Sequence, residues 1–290
     1  MLVTPVPGTN RRDLREDLRS ALEEVRDLRA GIRGGLRDGP RPASARLHDY
    51  LEWVNETVRK LEHQVSTADI DRLVRTRGYE LLLSSGLGRS TLPAEQETLS
   101  GFISAELDAR YAAFEAAVNA IEAQIRRWSM RAEFVVLDTT VYIHHPQKLE
   151  ELDVAALIEK PGEAVHILVP IAVVDELDGL KRTPQRGRAS CALAVLERAF
   201  QRSTGPEPLP RDDPAAVSGG EVTIEIVFDP PGHVRLPITD DEIVDRAQAI
   251  QPFAARKVTL VTYDTGMSLR ARAAGLSEIK LSHQRGTEPQ

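Results

Sequence analysis

Glu133-Phe134-Val135-Val136-Leu137-Asp138 is a short apolar run that ends on a carboxylate, and its reading decides the fold. Three more runs follow. His166-Ile167-Leu168-Val169-Pro170-Ile171 passes through Ala172-Val173-Val174 into Asp175-Glu176. Residues 222–228 alternate and are rich in β-branched side chains, and Lys257-Val258-Thr259-Leu260-Val261-Thr262 precedes Tyr263-Asp264. Short apolar or β-branched runs of this kind read as strands. Helical patterns lie between them, over residues 153–158, 188–201 and 241–250. Strands alternating with helices predict an α/β domain on a parallel central sheet with helices on both faces. Residues 201–220 hold four prolines and three glycines without apolar period, and read as a long surface loop.

Upstream of residue 130 the period changes. Leu14, Leu18, Ala21, Val25, Leu28 and Ile32 are spaced by alternating fours and threes, and Leu47, Leu51, Val54, Val58, Leu61 and Val65 keep the same rhythm. Each set forms one seam of an α-helix. Gly34, Gly35, Gly39, Pro40 and Pro42 end the first helix. A shorter helix is expected over residues 68–83 and a long one over 94–128, with Leu99, Phe102, Ile103, Leu107, Phe114, Ile121, Ile125 and Trp128 on its apolar side. The expected organisation is therefore an all-α helical domain, residues 1–130, followed by the α/β domain, residues 131–290. Seams of this type close on their own bundle or on a second chain, so a homodimer through the N-terminal helices is one expectation.

Composition narrows the function. The 290 residues are 41% hydrophobic, enough for a packed core, and Asp+Glu outnumber Lys+Arg by 44 to 37. That balance excludes a protein that coats DNA or membranes through a basic surface. Aromatics are 4% of the chain, so stacking platforms are not expected to dominate any nucleic-acid contact. The single cysteine, Cys191, forbids an intrachain disulfide and a cysteine zinc site, and its Ala-rich surroundings read as core. No secretory signal opens the sequence, and no apolar run approaches the ~20 residues of a membrane span. A cytoplasmic protein with no membrane contact is expected.

The carboxylates carry the chemistry. Asp138, Asp264 and the Asp175-Glu176 pair each follow a strand, while Asp240 and Asp241 open a helix. Residues just beyond the carboxyl ends of parallel strands gather at one edge, where α/β sheets bind ligands. Singly, such acids read as helix caps. Gathered, they repel one another and call for a divalent cation. Oxygen donors without His or Cys select Mg²⁺ or Mn²⁺, and such an ion suits phosphodiester hydrolysis.

The phrases around these acids resemble the PIN-domain nuclease family. Residues 134–143, from Phe134 to Ile143, look like its opening strand. Val169 to Lys181 resembles its second block, Thr239-Asp240-Asp241-Glu242-Ile243 its third, and Leu260 to Asp264 with Leu269, Arg270, Ala271 and Ala273 its fourth. All four occur in family order over residues 131–282. The resemblance implies a three-layer α/β/α sandwich and metal-dependent cleavage of single-stranded RNA. It places the metal-binding acids on Asp138, Glu176, Asp240 and Asp264. Ile243, three residues after Asp240, favours Asp240, with Asp241 as the reserve candidate. Thr262 matches the hydroxyl residue two before the last acid. Tyr263 departs from the family's small polar residue and narrows access. Lys181, Arg182, Arg186 and Arg188 supply a local basic stretch for phosphates, with Arg270 and Arg272 as further cations. His144 and His145 are expected in a loop past the strand. The alternative is a PIN-like scaffold that binds RNA or protein with little catalysis. A haloacid-dehalogenase site is excluded by Thr140, where a second Asp is required. A dinucleotide site is excluded by the absence of a glycine-rich turn after Asp138.

Overall fold

The computed structural model describes residues 3–31, 42–84, 92–201, 205–211 and 220–282. The chain divides into two compact units, Met1–Ser129 and Met130–Gln290.

The first unit is helical. Helix α1 (Arg11–Arg29) starts on Asn10, whose side chain accepts the Arg12 N–H, and buries Leu14, Leu18, Ala21 and Val25. Helices α2 (Ala43–Leu61) and α5 (Pro93–Arg127) pack against it and against each other. Trp53 sits at their junction, edge-on to Phe114 at 5.6 Å, and its indole donates to the Ala21 carbonyl at 3.3 Å. Leu14, Leu18, Ala21 and Val25 of the α1 seam are thus buried within this bundle, while Leu28 is half-buried. Ile32, Gly34, Gly35, Gly39 and Pro40 lie outside the described residues.

Two expectations here are corrected. The single helix over 68–83 is two, α3 (Thr67–Leu73) and α4 (Arg77–Ser84). Ser66 caps the first through the Asp69 N–H, and Thr76 accepts the Tyr79 N–H at the start of the second. The buried Arg110 of α5 donates to the Arg72 and Leu73 carbonyls at 2.9 and 2.8 Å. Those carbonyls are satisfied by a guanidinium, so the helix can stop there. Phe102 is 57% exposed, because Leu99, Ile103 and Leu107, four residues apart, take the buried line of α5.

The second unit is α/β. In chain order it runs β1 (Glu133–Leu137), α6 (Thr139–His144), α7 (Val154–Leu157), β2 (Val165–Pro170), α8 (Ile171–Leu180), α9 (Arg186–Ala199), β3 (Glu207–Pro208), β4 (Val222–Val227), α10 (Thr239–Ala254), β5 (Thr259–Thr262), α11 (Thr265–Ala273) and β6 (Ser277–Lys280). The sheet order is β3-β4-β2-β1-β5-β6. All neighbours are parallel except β3 on β4, so the sheet is mixed rather than wholly parallel. Strand β3 corrects the reading of residues 201–220 as loop alone: Glu207 pairs with Ile224 and Pro208 with Thr223. It is two residues long and contains a proline, which suits an edge and carries no period. Strand β6, also at an edge, is largely polar and escapes the same test.

β1, β2 and β5 are buried along nearly their whole length, which is why they read as unbroken apolar runs. From β1 the chain winds outward through β2 to β4, then returns to lay β5 on the other side of β1. The reversal opens a crevice beyond the carboxyl ends of β1 and β5. Cys191 is exposed, a further correction. Ala189, Ala192 and Val195 take the inner face of α9, and Cys191 falls on the outer one. Among the described residues, no helix is long and apolar enough to cross a membrane.

Candidate metal centre

Asp138 follows β1 and occupies the N-cap position of α6, yet its side chain makes no capping bond. It is 4% exposed and turns sideways instead. Its Oδ2 accepts the Thr140 hydroxyl at 2.6 Å and the Thr262 hydroxyl at 2.7 Å. Thr262, the last residue of β5, is fully buried, and its Oγ1 accepts the Asp264 N–H at 2.9 Å. The Thr140 Oγ1 accepts the Tyr263 N–H at 3.1 Å. Two hydroxyls therefore stitch the end of β1 to the end of β5, and Asp138 and Asp264 lie on the same side of the crevice. Asp264 caps α11 by accepting the Met267 N–H on Oδ1.

Glu176 comes from the middle of α8, and its Oε2 accepts the Thr139 hydroxyl at 2.6 Å. Asp240 stands in the first turn of α10, where Ile238 is the N-cap, so it caps nothing. Burial raises the Glu176 pKa above its ordinary value. The Thr139 bond opposes that rise, and the charges of Asp138 and Asp240 add to it. Asp240 is raised by burial and by Asp138, is lowered by Arg270, and is raised again by Asp264 and Asp241. These carboxylates feel one another, as close like charges do. Arg270 answers them in part, with Nη1 3.5 Å from Asp240 Oδ2 and Nε 2.8 Å from Asp241 Oδ1. Gly266 leaves room for it: a Cβ there would lie 2.9 Å from Arg270 Nη1 and 3.0 Å from Asp264 Oδ1. Oxygen donors that raise one another's pKa, with one guanidinium on Asp240 and Asp241, have the chemistry of a site for a hard divalent cation.

The basic stretch is used unevenly. Lys181 pairs with Asp178 at 2.8 Å, and Arg182 and Arg186 are exposed. Arg188 donates to the Pro146 carbonyl at 2.7 Å, which anchors the segment after α6. There His145 Nδ1 lies 3.0 Å from the Tyr263 hydroxyl. Burial lowers the His145 pKa, a bond to Gln147 opposes this, and the Arg188 charge adds to the fall. His144 is the last residue of α6 rather than part of a loop. Arg272 is tied to Glu278 and Asp175 to Arg235, so neither adds to the acid cluster.

Three features escaped the sequence reading. Thr139 and Thr140 hold carboxylates, and the only available signal was two hydroxyl residues directly after Asp138. The Tyr142 hydroxyl, one turn along α6, is buried and has no hydrogen-bond partner among the described residues. Asp229, His233 and Glu242 bring ligand-type atoms within 4.8 Å of one another. Their carboxylates are already met by cations: Arg235 Nε donates to Asp229 at 2.6 Å, and Arg246 lies 3.3 Å from Glu242. Glu242, 1% exposed, also pairs with His233 at 2.8 Å and accepts the Leu236 N–H at 2.9 Å. The group ties down the segment that leads into Asp240.

The PIN domain family model matches residues 135–281. No curated protein matches the chain. The match takes in both strand ends of the crevice and all four acids, over half of the sequence. On that match the chain belongs to the PIN domain family, a nuclease fold that is generally metal-dependent.

Proposed function

We propose that this chain is a divalent-metal-dependent endoribonuclease that hydrolyses phosphodiester bonds of single-stranded RNA. Asp138, Glu176, Asp240 and Asp264 would hold Mg²⁺ or Mn²⁺. The observation that carries the reading is the buried Asp138 carboxylate. Both of its hydroxyl partners fall on one oxygen, which leaves the other for an ion. When bound, such an ion neutralises charge growing on phosphoryl oxygens and acidifies a water beside the phosphate.

The protein's own groups do the rest. Thr140 and Thr262 fix the plane of the Asp138 carboxylate, so its free oxygen is aimed before the ion arrives. Asp264 is positioned twice, through its N–H by Thr262 and through its carboxylate by the first turn of α11. Glu176, with Oε2 held by Thr139, keeps its second oxygen to orient an attacking water. Its raised pKa makes it a better proton acceptor than a free carboxylate. Arg270 balances the cluster before the ion binds and is placed to meet a phosphate afterwards. Arg182 and Arg186 offset the repulsion that the acids exert on incoming RNA. The single exposed thiol suits a reducing compartment, the cytoplasm. A homodimer of the helical unit would use the exposed Leu81, Leu83 and Phe102.

The test is cleavage of end-labelled single-stranded RNA with Mn²⁺ by the native protein and by Asp138→Asn. Loss of cleavage in the variant is the expected outcome. Equal cleavage by both would assign the activity to another site or to a contaminant.

A further inference from the structure

Tyr263 stands between Thr262 and Asp264, and its N–H is held by the same Thr140 hydroxyl that bonds Asp138. Its backbone is thus fixed by the acid network. Its ring is fixed at the other end, where the hydroxyl lies 3.0 Å from His145 Nδ1. The His145 ring is tilted against it at 6.2 Å, and the exposed His144 ring meets it edge-on at 6.5 Å. Arg188 anchors the same segment through the Pro146 carbonyl. The result is a partly exposed, immobilised aromatic surface one residue from a candidate metal ligand.

Acids that gather a metal also repel the phosphates of a substrate. Part of the affinity must then come from uncharged contacts, and a flat π-surface supplies one. In a duplex the base faces are covered by their neighbours, whereas in a single strand they can be splayed out and stacked. We propose that the Tyr263 ring, braced by His145 and flanked by His144, is the surface on which a base next to the scissile phosphate stacks. This rests on the ribonuclease reading and names the group that selects single strands. A tilted histidine and a locked tyrosine lose little freedom when a base arrives, so the contact is pre-formed.

The test measures binding by fluorescence anisotropy on the cleavage-deficient Asp138→Asn protein. One probe is a labelled single-stranded RNA, and the other is an abasic oligonucleotide of equal length. Added Tyr263→Ala should weaken RNA binding roughly 5- to 150-fold, the range of one lost stack, and leave the abasic probe unchanged. Added Tyr263→Phe, which keeps the ring and loses the hydroxyl, should stay within about threefold on RNA, less than the loss of a stack. Equal RNA binding by Tyr263→Ala and its parent would overturn the inference. So would an equal loss on both probes, which would mark a distorted rim rather than a lost stack. A native protein that cleaves no single-stranded RNA with Mn²⁺ would instead overturn the ribonuclease reading beneath it.

Discussion

Replacing Thr262 with Val tests whether the hydroxyl network organises the acid cluster. Valine keeps the β-branched shape that β5 needs and deletes one oxygen. That oxygen donates to Asp138 Oδ2 at 2.7 Å and accepts the Asp264 N–H at 2.9 Å. A hydrogen bond to a charged carboxylate contributes about 1.5–3 kcal/mol, and an N–H left unpaired in the interior costs about 1–3 kcal/mol. Asp138 keeps the Thr140 hydroxyl and Asp264 is near solvent, so the sum falls toward its lower end, about 2–3 kcal/mol. Urea unfolding without metal should read that loss. The larger consequence concerns the ion. With one of its two supports gone, the Asp138 carboxylate can rotate, and outer-shell losses of this kind weaken metal affinity by about 10- to 100-fold. Isothermal titration with Mn²⁺ on the native protein, Thr262→Val and Thr262→Ser should show the loss in the valine variant and recovery in serine. Unchanged Mn²⁺ affinity in Thr262→Val would refute the claim that these hydroxyls set the site.

Other outcomes follow from the same charges and contacts. In chelator, Asp138→Asn should melt above the native protein at neutral pH, because it removes a charge that raises both Glu176 and Asp240. A raised native pKa means that the folded state holds protons the unfolded chain has released. Those two groups therefore destabilise the fold as pH climbs from the ordinary carboxylate range through their raised values. The gain from Asp138→Asn should accordingly shrink on acidification, and a lower melting temperature at neutral pH would contradict this. Arg270→Gln should lower the melting temperature of the metal-free protein and enlarge the rise produced by Mn²⁺, as followed by differential scanning fluorimetry; an unchanged rise would count against the counter-ion role. Glu242→Ala should destabilise by about 1–3 kcal/mol in urea, since it removes the acceptor of the Leu236 N–H and the partner of His233 and leaves Arg246 with Asp245. An unaltered midpoint would show that the pairing is incidental.

How much was legible depended on what each element needs. β1, β2 and β5 are buried on both sides, so their sequences are nearly pure apolar runs and declare themselves. β3 and β6 sit at the edges, are short or polar, and owe their pairing to neighbours brought close by the fold. The α3–α4 break was hidden because Arg110, some 35 residues downstream, supplies the partners that end α3. Asp138, Glu176, Asp240 and Asp264 were visible through their places after strands and in a helix first turn, together with the surrounding phrases. Thr262 was visible through the same phrases, but the other supports were not: Thr139 and Thr140 look like ordinary helix-start residues until the crevice between β1 and β5 is closed. The aromatic count made stacking look negligible, yet one tyrosine matters if it stands beside the acids. Composition weighs amounts, whereas the site depends on placement.

In the proposed site, carboxylates from four distant stretches share one hard cation. An anomalous difference map from a crystal soaked in Mn²⁺ tests it most directly. Density is expected among Asp138, Glu176, Asp240 and Asp264, and none in a crystal of Asp138→Asn. Density confined to Asp229, His233 and Glu242, or equal density in both crystals, would contradict it.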